Sequence, residues 1–115
     1  DIYANPTYLP DDMQADYDRY WTDARVDRVL DVLERYGIAL EINARYRIPS
    51  FGIIRRAKQR GIKFTFGTNN VDADFGRLEY SLEAVEECGL TADDIWFPAM
   101  SVRRGRPVVL YNKFE

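Results

Sequence analysis

Three times along the chain a run of helical periodicity ends in a glycine, at Gly37, Gly61 and Gly89. After the first two, the chain goes straight into a short apolar strand, Ile38-Ala-Leu-Glu-Ile42 and Ile62-Lys-Phe-Thr-Phe66. Glycine closes helices because it takes the left-handed C-cap conformation without steric cost. Strands that alternate with helices are joined by right-handed crossovers and lie parallel. The repeat therefore restricts this chain to an α/β class built from parallel βα units.

Each unit can be followed in the residues. The first opens with Asp1-Ile-Tyr-Ala-Asn5 as a short strand. The two prolines of Pro6-Thr-Tyr-Leu-Pro10 then enforce a loop, and Asp11 to Trp21 has room for a helical turn. Thr22 is placed as an N-cap, and Val26, Val29, Leu30 and Leu33 recur at helical spacing up to Gly37. In the second unit Ser50 caps a helix whose apolar face is Ile53, Ile54 and Ala57. In the third, a helix from about Phe75 to Cys88 is expected to turn Leu78, Leu82 and Val85 inward. Thr91-Ala-Asp-Asp94 reads as a short capped turn. Arg103-Arg-Gly-Arg106 reads as a basic turn before a final strand over Pro107 to Tyr111.

The period of two assigns the strand faces. Leu40 and Ile42 share a face, as do Ile62, Phe64 and Phe66, and these should lie under the helices. Glu41 and Asn43, with Lys63, Thr65 and Gly67, fall on the opposite face, where Glu41 and Lys63 would be neighbours able to pair. A doubly wound sheet is covered on both faces and its strands are almost continuously apolar. These strands alternate, which favours a barrel wall with its polar side inward over a doubly wound sheet. A plain sheet with one wet face is the competing arrangement.

In barrels of this kind function gathers at the carboxyl ends of the strands. Here those ends carry Asn5, Asn43, and the pair Asn69 and Asn70. Glu41, Arg45 and Arg47 lie beside them. Any one asparagine is equally a turn residue, because its side chain bonds nearby backbone groups. Together with Glu41 and Arg45 they form a candidate ligand-binding set, Asn5, Glu41, Asn43, Arg45, Asn69 and Asn70. Arg45 and Arg47 offer guanidinium groups for a small anion, a phosphate or carboxylate, or else bond local carbonyls. Asp72 and Asp74 are cation candidates or, more commonly, helix-start residues.

Composition narrows the chemistry. There is no histidine, which excludes Ser-His-Asp and Cys-His nucleophiles and His-ligated zinc within the chain. Asparagine neither takes nor gives a proton near neutral pH. Any acid–base chemistry must then use carboxylates, lysine or tyrosine; no residue is assigned as catalytic, and no cofactor is expected. A net charge of −3 gives no case for nucleic acid or an anionic membrane. The single Cys88, with no thiol to pair with, fits a reducing, cytoplasmic setting, and no apolar run is long enough to span a bilayer. The 115 residues suit one domain, and the start at Asp1 suggests a segment of a longer protein.

The segments "ALEINARYRIPS", "IIRRAKQRGIKFTFGTNN" and "DFGRLEYSLEAVEECGL", preceded by "DIYANPTY", resemble in order and spacing the last part of the PHP family. These are polymerase- and histidinol-phosphatase-like metal-dependent phosphoesterases with a distorted TIM-like (β/α)7 barrel. The resemblance implies that residues 1–98 are the C-terminal portion of such a barrel and 99–115 an extension. It also implies divalent metals such as zinc or manganese. The family's late Asp-x-His ligands correspond to Asn69 and Val71, and its Gly-His-Pro histidine to Asn5. The resemblance thus points to a degenerate metal site, not catalytic on its own. The alternatives are a hydrolase whose ligands come from an absent N-terminal half or a partner, and a non-catalytic anion-binding module or assembly subunit. Unpaired sheet edges would be covered in a homo-oligomer or by that missing half.

Overall fold

The computed structural model describes residues 1–98, 102–103 and 106–107. Three parallel strands, β1 (Ile2–Tyr3), β2 (Ala39–Asn43) and β3 (Phe64–Gly67), form one sheet in that order. Ile95 extends it with a parallel bridge to Phe64, and the Trp96 N–H donates to the Phe64 carbonyl at 2.7 Å. The helices are α1 (Tyr17–Tyr20), after a 3-10 turn over Asp11–Asp16, α2 (Asp23–Tyr36), α3 (Phe51–Gln59) and α4 (Glu79–Cys88). Val102–Arg103 (β4) pairs antiparallel with Arg106–Pro107 (β5), and the strand expected beyond Pro107 lies outside the described residues. Among the described residues no helix is long and apolar enough to cross a membrane.

The helix boundaries follow the caps. Thr22 Oγ1 accepts from the Arg25 N–H at 3.4 Å, and Ser50 Oγ from the Ile53 N–H at 3.5 Å. Gly37 and Gly89 both take φ of 62° at their helix ends. Thr91 and Asp94 form the expected capped turn, a reciprocal capping box. The core joins Leu30 and Leu33 of α2, Ile54 and Ala57 of α3, and Tyr80 and Ala84 of α4 to Leu40, Ile42 and Phe64 of the sheet. All three long helices thus pack on the face that the strand alternation assigned to them. The α/β class and parallel order are as expected, and the described residues form a three-stranded sheet and not a closed barrel.

Four expectations need correction. Lys63 precedes β3 and donates to the Asp93 carbonyl, so it does not meet Glu41. Phe66 is 36% exposed, because α4 starts only at Glu79 and leaves the end of β3 partly uncovered. That later start also removes Asp72 and Asp74 from the first helical turn. Finally, α4 is rotated: Tyr80, Ser81, Ala84 and Cys88 are buried, whereas Leu82 is 61% exposed. Small side chains explain the rotation. Ser81 and Ala84 let the helix approach β2, where Ser81 Oγ donates to the Ile42 carbonyl at 3.4 Å. Tyr80 stacks on Phe51 with ring centroids 5.2 Å apart, which fixes that orientation.

Candidate functional site

Parallel neighbours bring their carboxyl ends to one side of the sheet, and register does the rest. Asn43 ends β2 opposite Gly67 of β3. Asn5 and Asn69 follow β1 and β3 in left-handed conformations, with φ of 48° and 45°. Asparagine tolerates this region better than most residues because its short side chain bonds locally.

The four side chains meet at the Asn43 carboxamide, which is fully buried. Its Nδ2 lies 2.8 Å from Asn69 Oδ1, 2.9 Å from Glu41 Oε1 and 3.1 Å from Asn5 Oδ1. Asn69 Nδ2 donates to Asn5 Oδ1 at 2.9 Å, and the Asn5 N–H donates to Glu41 Oε1 at 3.0 Å. The direction of the central amide is set by the backbone: the Tyr46 N–H donates to Asn43 Oδ1 at 3.1 Å. An N–H donor needs the oxygen end, so the NH2 end must face the other three residues.

Glu41 reaches this cluster across the next strand. A Cβ at Gly67 would lie 2.3 Å from Glu41 Oε2 and 2.4 Å from its Cδ. Only glycine leaves that path clear. Gly67 was not a candidate from sequence, although its place on Glu41's face of the neighbouring strand was the available signal. The orienting Tyr46 N–H was not legible, since it depends on the tight loop after β2.

The remaining candidates stand apart. Asn70 Oδ1 accepts from the Gly76 N–H at 2.9 Å and shapes the loop before α4. Arg45 donates to Asp72 Oδ2 at 2.7 Å. That bond holds the Asp72 carboxyl below the usual carboxylate range and raises Arg45 further. Arg47 pairs with Glu83 at 2.8 Å and lies 4.9 Å from the centre of the Tyr80 ring. Arg45, Arg47 and Arg77, with Tyr46, Asp72 and Tyr80, help line an open pocket of about 410 Å³ beside the asparagine cluster. Each of its guanidinium groups has a carboxylate partner.

The cluster's donor set does not fit a divalent ion as arranged. It offers one carboxylate and two amide oxygens, and an N–H donor stands between them, where divalent ions take oxygen or nitrogen lone pairs. Among the described residues no group of three or more His, Cys, Asp or Glu side chains is placed to hold a metal.

Two curated proteins are similar to this chain. They are a probable phosphatase of Thermoanaerobacter sp. (strain X514) and a probable phosphatase of Thermoanaerobacter pseudethanolicus (strain ATCC 33223 / 39E). Each is 31% identical over 77 residues, 59% of this chain and 31% of the relative. The chain therefore spans about a third of the length of the curated relatives it matches. No family model matches the chain, and no solved structure gives a significant match.

Proposed function

We propose that this chain is the C-terminal portion of a PHP-like phosphoesterase barrel whose metal site is degenerate, and that it does not hydrolyse phosphoesters by itself. The likeness to probable phosphatases supports the phosphoesterase-like part of this reading. The observation that carries the rest is the convergence of Asn5, Glu41, Asn43 and Asn69 on one amide at the carboxyl ends of three parallel strands. That is where a barrel of this class keeps its chemistry. The groups there hydrogen-bond one another, and none of them is a proton-transfer pair for activating water. Closure of the barrel would come from further strands beside β1 and Ile95, in the same polypeptide or in a partner subunit.

The test is turnover of an aryl phosphate monoester by the chain, with and without added Mn²⁺ or Zn²⁺. No turnover is expected in either condition. Metal-dependent turnover that disappears in Glu41→Gln would replace this reading with that of a working hydrolase.

The pocket beside the cluster favours a second reading, a module that binds a small anion. Arg45 is the least exposed of its three guanidinium side chains, at 30%. A phosphate would have to exchange with Asp72. Arg45→Met should then weaken inorganic phosphate binding by calorimetry, with little change in melting temperature, because exposed ion pairs contribute only ~0–1 kcal/mol. Equal heats for both proteins would dismiss this reading.

A further inference from the structure

The connection from β3 to α4, residues 70–78, buries none of its side chains. Even its large apolar groups face solvent, Val71 at 70% and Phe75 at 67% exposure. The loop is shaped from within. The Asp74 N–H donates to Asp72 Oδ1 and the Gly76 N–H to Asn70 Oδ1, both at 2.9 Å, and Arg77 pairs with Asp74. Among the described residues its hydrogen bonds and ion pairs reach the rest of the molecule at two points. One is the adjoining Glu79, bonded by Arg77. The other is the 2.7 Å bond from Arg45 to Asp72 Oδ2.

We propose that Asp72 is a latch: its carboxylate occupies the place on Arg45 that the pocket's anion would take, so an anionic ligand exchanges with it and releases the β3–α4 loop. This rests on the anion-binding reading of the pocket and adds the regulation of that site.

Arg45 is held in place without Asp72. Asn43 and Ile48 exchange backbone hydrogen bonds at 2.7 and 3.2 Å, the Ala44 N–H donates to the Gly67 carbonyl at 2.8 Å, and the Tyr46 N–H bonds the Asn43 side chain. The segment that carries Arg45 is thus closed on the ends of β2 and β3. The bond to Asp72 uses one nitrogen, Nη2, of a group with five N–H donors. A phosphate can take two of those donors side by side, and the pocket of about 410 Å³ opens against this guanidinium. Once the bond is exchanged, the loop has no buried side chain to hold it down, and such segments open at low free-energy cost.

The experiment titrates inorganic phosphate into the native chain, Asp72→Asn, Asp74→Asn and Arg45→Met by calorimetry. In parallel, chymotrypsin cleavage after Phe75 is followed by mass spectrometry, in phosphate and in potassium chloride of equal ionic strength. Asp72→Asn keeps an oxygen for the Asp74 N–H and loses the carboxylate that Arg45 binds. It should bind phosphate about fivefold tighter than the native chain, the ceiling for releasing an exposed ion pair. Asp74 bonds Arg77 and not Arg45, so Asp74→Asn should gain far less. Phosphate should speed the Phe75 cut in the native chain, because cleavage follows the population of the open loop. Asp72→Asn and Arg45→Met should be cut at the faster rate with or without phosphate. Phosphate bound equally by the native chain and Asp72→Asn, or bound without any change in the native Phe75 cut, overturns the latch and leaves the anion site standing. Equal gains in Asp72→Asn and Asp74→Asn also overturn it, since net charge alone would then account for them. No heat of phosphate binding in any of the four proteins removes the anion site, and the latch with it.

Discussion

At the scale of single residues, the Asn43 carboxamide is the point at which three strand ends meet. Asn5, Glu41, Asn43 and Asn69 end strands or sit on the polar face, and the structure gathers all four. Asn70 and Arg45 satisfied the same rule but are engaged by Gly76 and Asp72, because loop conformation, not strand register, decides their direction. Gly67 is the residue on which the cluster depends most without contributing a side chain. A methyl group there would fall 2.3 Å from Glu41 Oε2, so the carboxylate must swing away from the Asn5 N–H and Asn43 Nδ2. Gly67→Ala should lower unfolding stability by ~1–3 kcal/mol, the usual cost of overpacking and unmet hydrogen bonds. Because the clash is with one side chain, the effect should shrink sharply in a Glu41→Ala background. Denaturant titration of the four proteins measures it, and additive losses would contradict the assigned contact.

At the scale of elements, caps fix where α2 and α3 start, and Thr22 and Ser50 announced them. The sequence of helix α4 carries two apolar stripes, and packing selects one. Leu78 and Leu82 suggested the inward face by size, yet the face with Ser81 and Ala84 is the one that approaches β2. Two substitutions separate these faces. Ala84→Leu should cost ~1–3 kcal/mol through overpacking, whereas Leu82→Lys should stay within ~0.5 kcal/mol. The reverse order in thermal melts would restore the original face. The loop elements also carry a pH dependence. The Arg45 guanidinium depresses the Asp72 carboxyl, and the Thr91 N–H does the same for Asp94. Depressed carboxyls contribute stability above their unfolded value of about 4 and lose it as the pH falls below that. Burial raises the phenols of Tyr17 and Tyr80. Their contribution is complete below about pH 10 and is lost as the pH rises further. Stability should therefore be flat between these limits and fall on both sides. An acid limb unchanged in Asp72→Asn combined with Asp94→Asn would show that other carboxylates control it.

For the molecule as a whole, the alternation of strands with helices predicts parallel order and the period-two pattern of β2 and β3 predicts one helix-covered face, and both are found. The barrel expected from the same alternation is not what the described residues form, since alternation says which face is covered and not how far a sheet extends or whether it closes. The chain spans only 31% of the relatives' length. What the three units do contain is one meeting of strand ends, with a buried, hydrogen-bonded amide at its middle. Side-chain amide resonances observe that group directly. In a ¹⁵N-labelled chain the Asn43 NH2 protons should be resolved and slow to exchange, because the group is buried and bonded to acceptors. Addition of one equivalent of Mn²⁺ should leave them sharp. Selective broadening of the Asn5, Asn43 and Asn69 amides at that ratio would place the metal in the cluster and contradict the account.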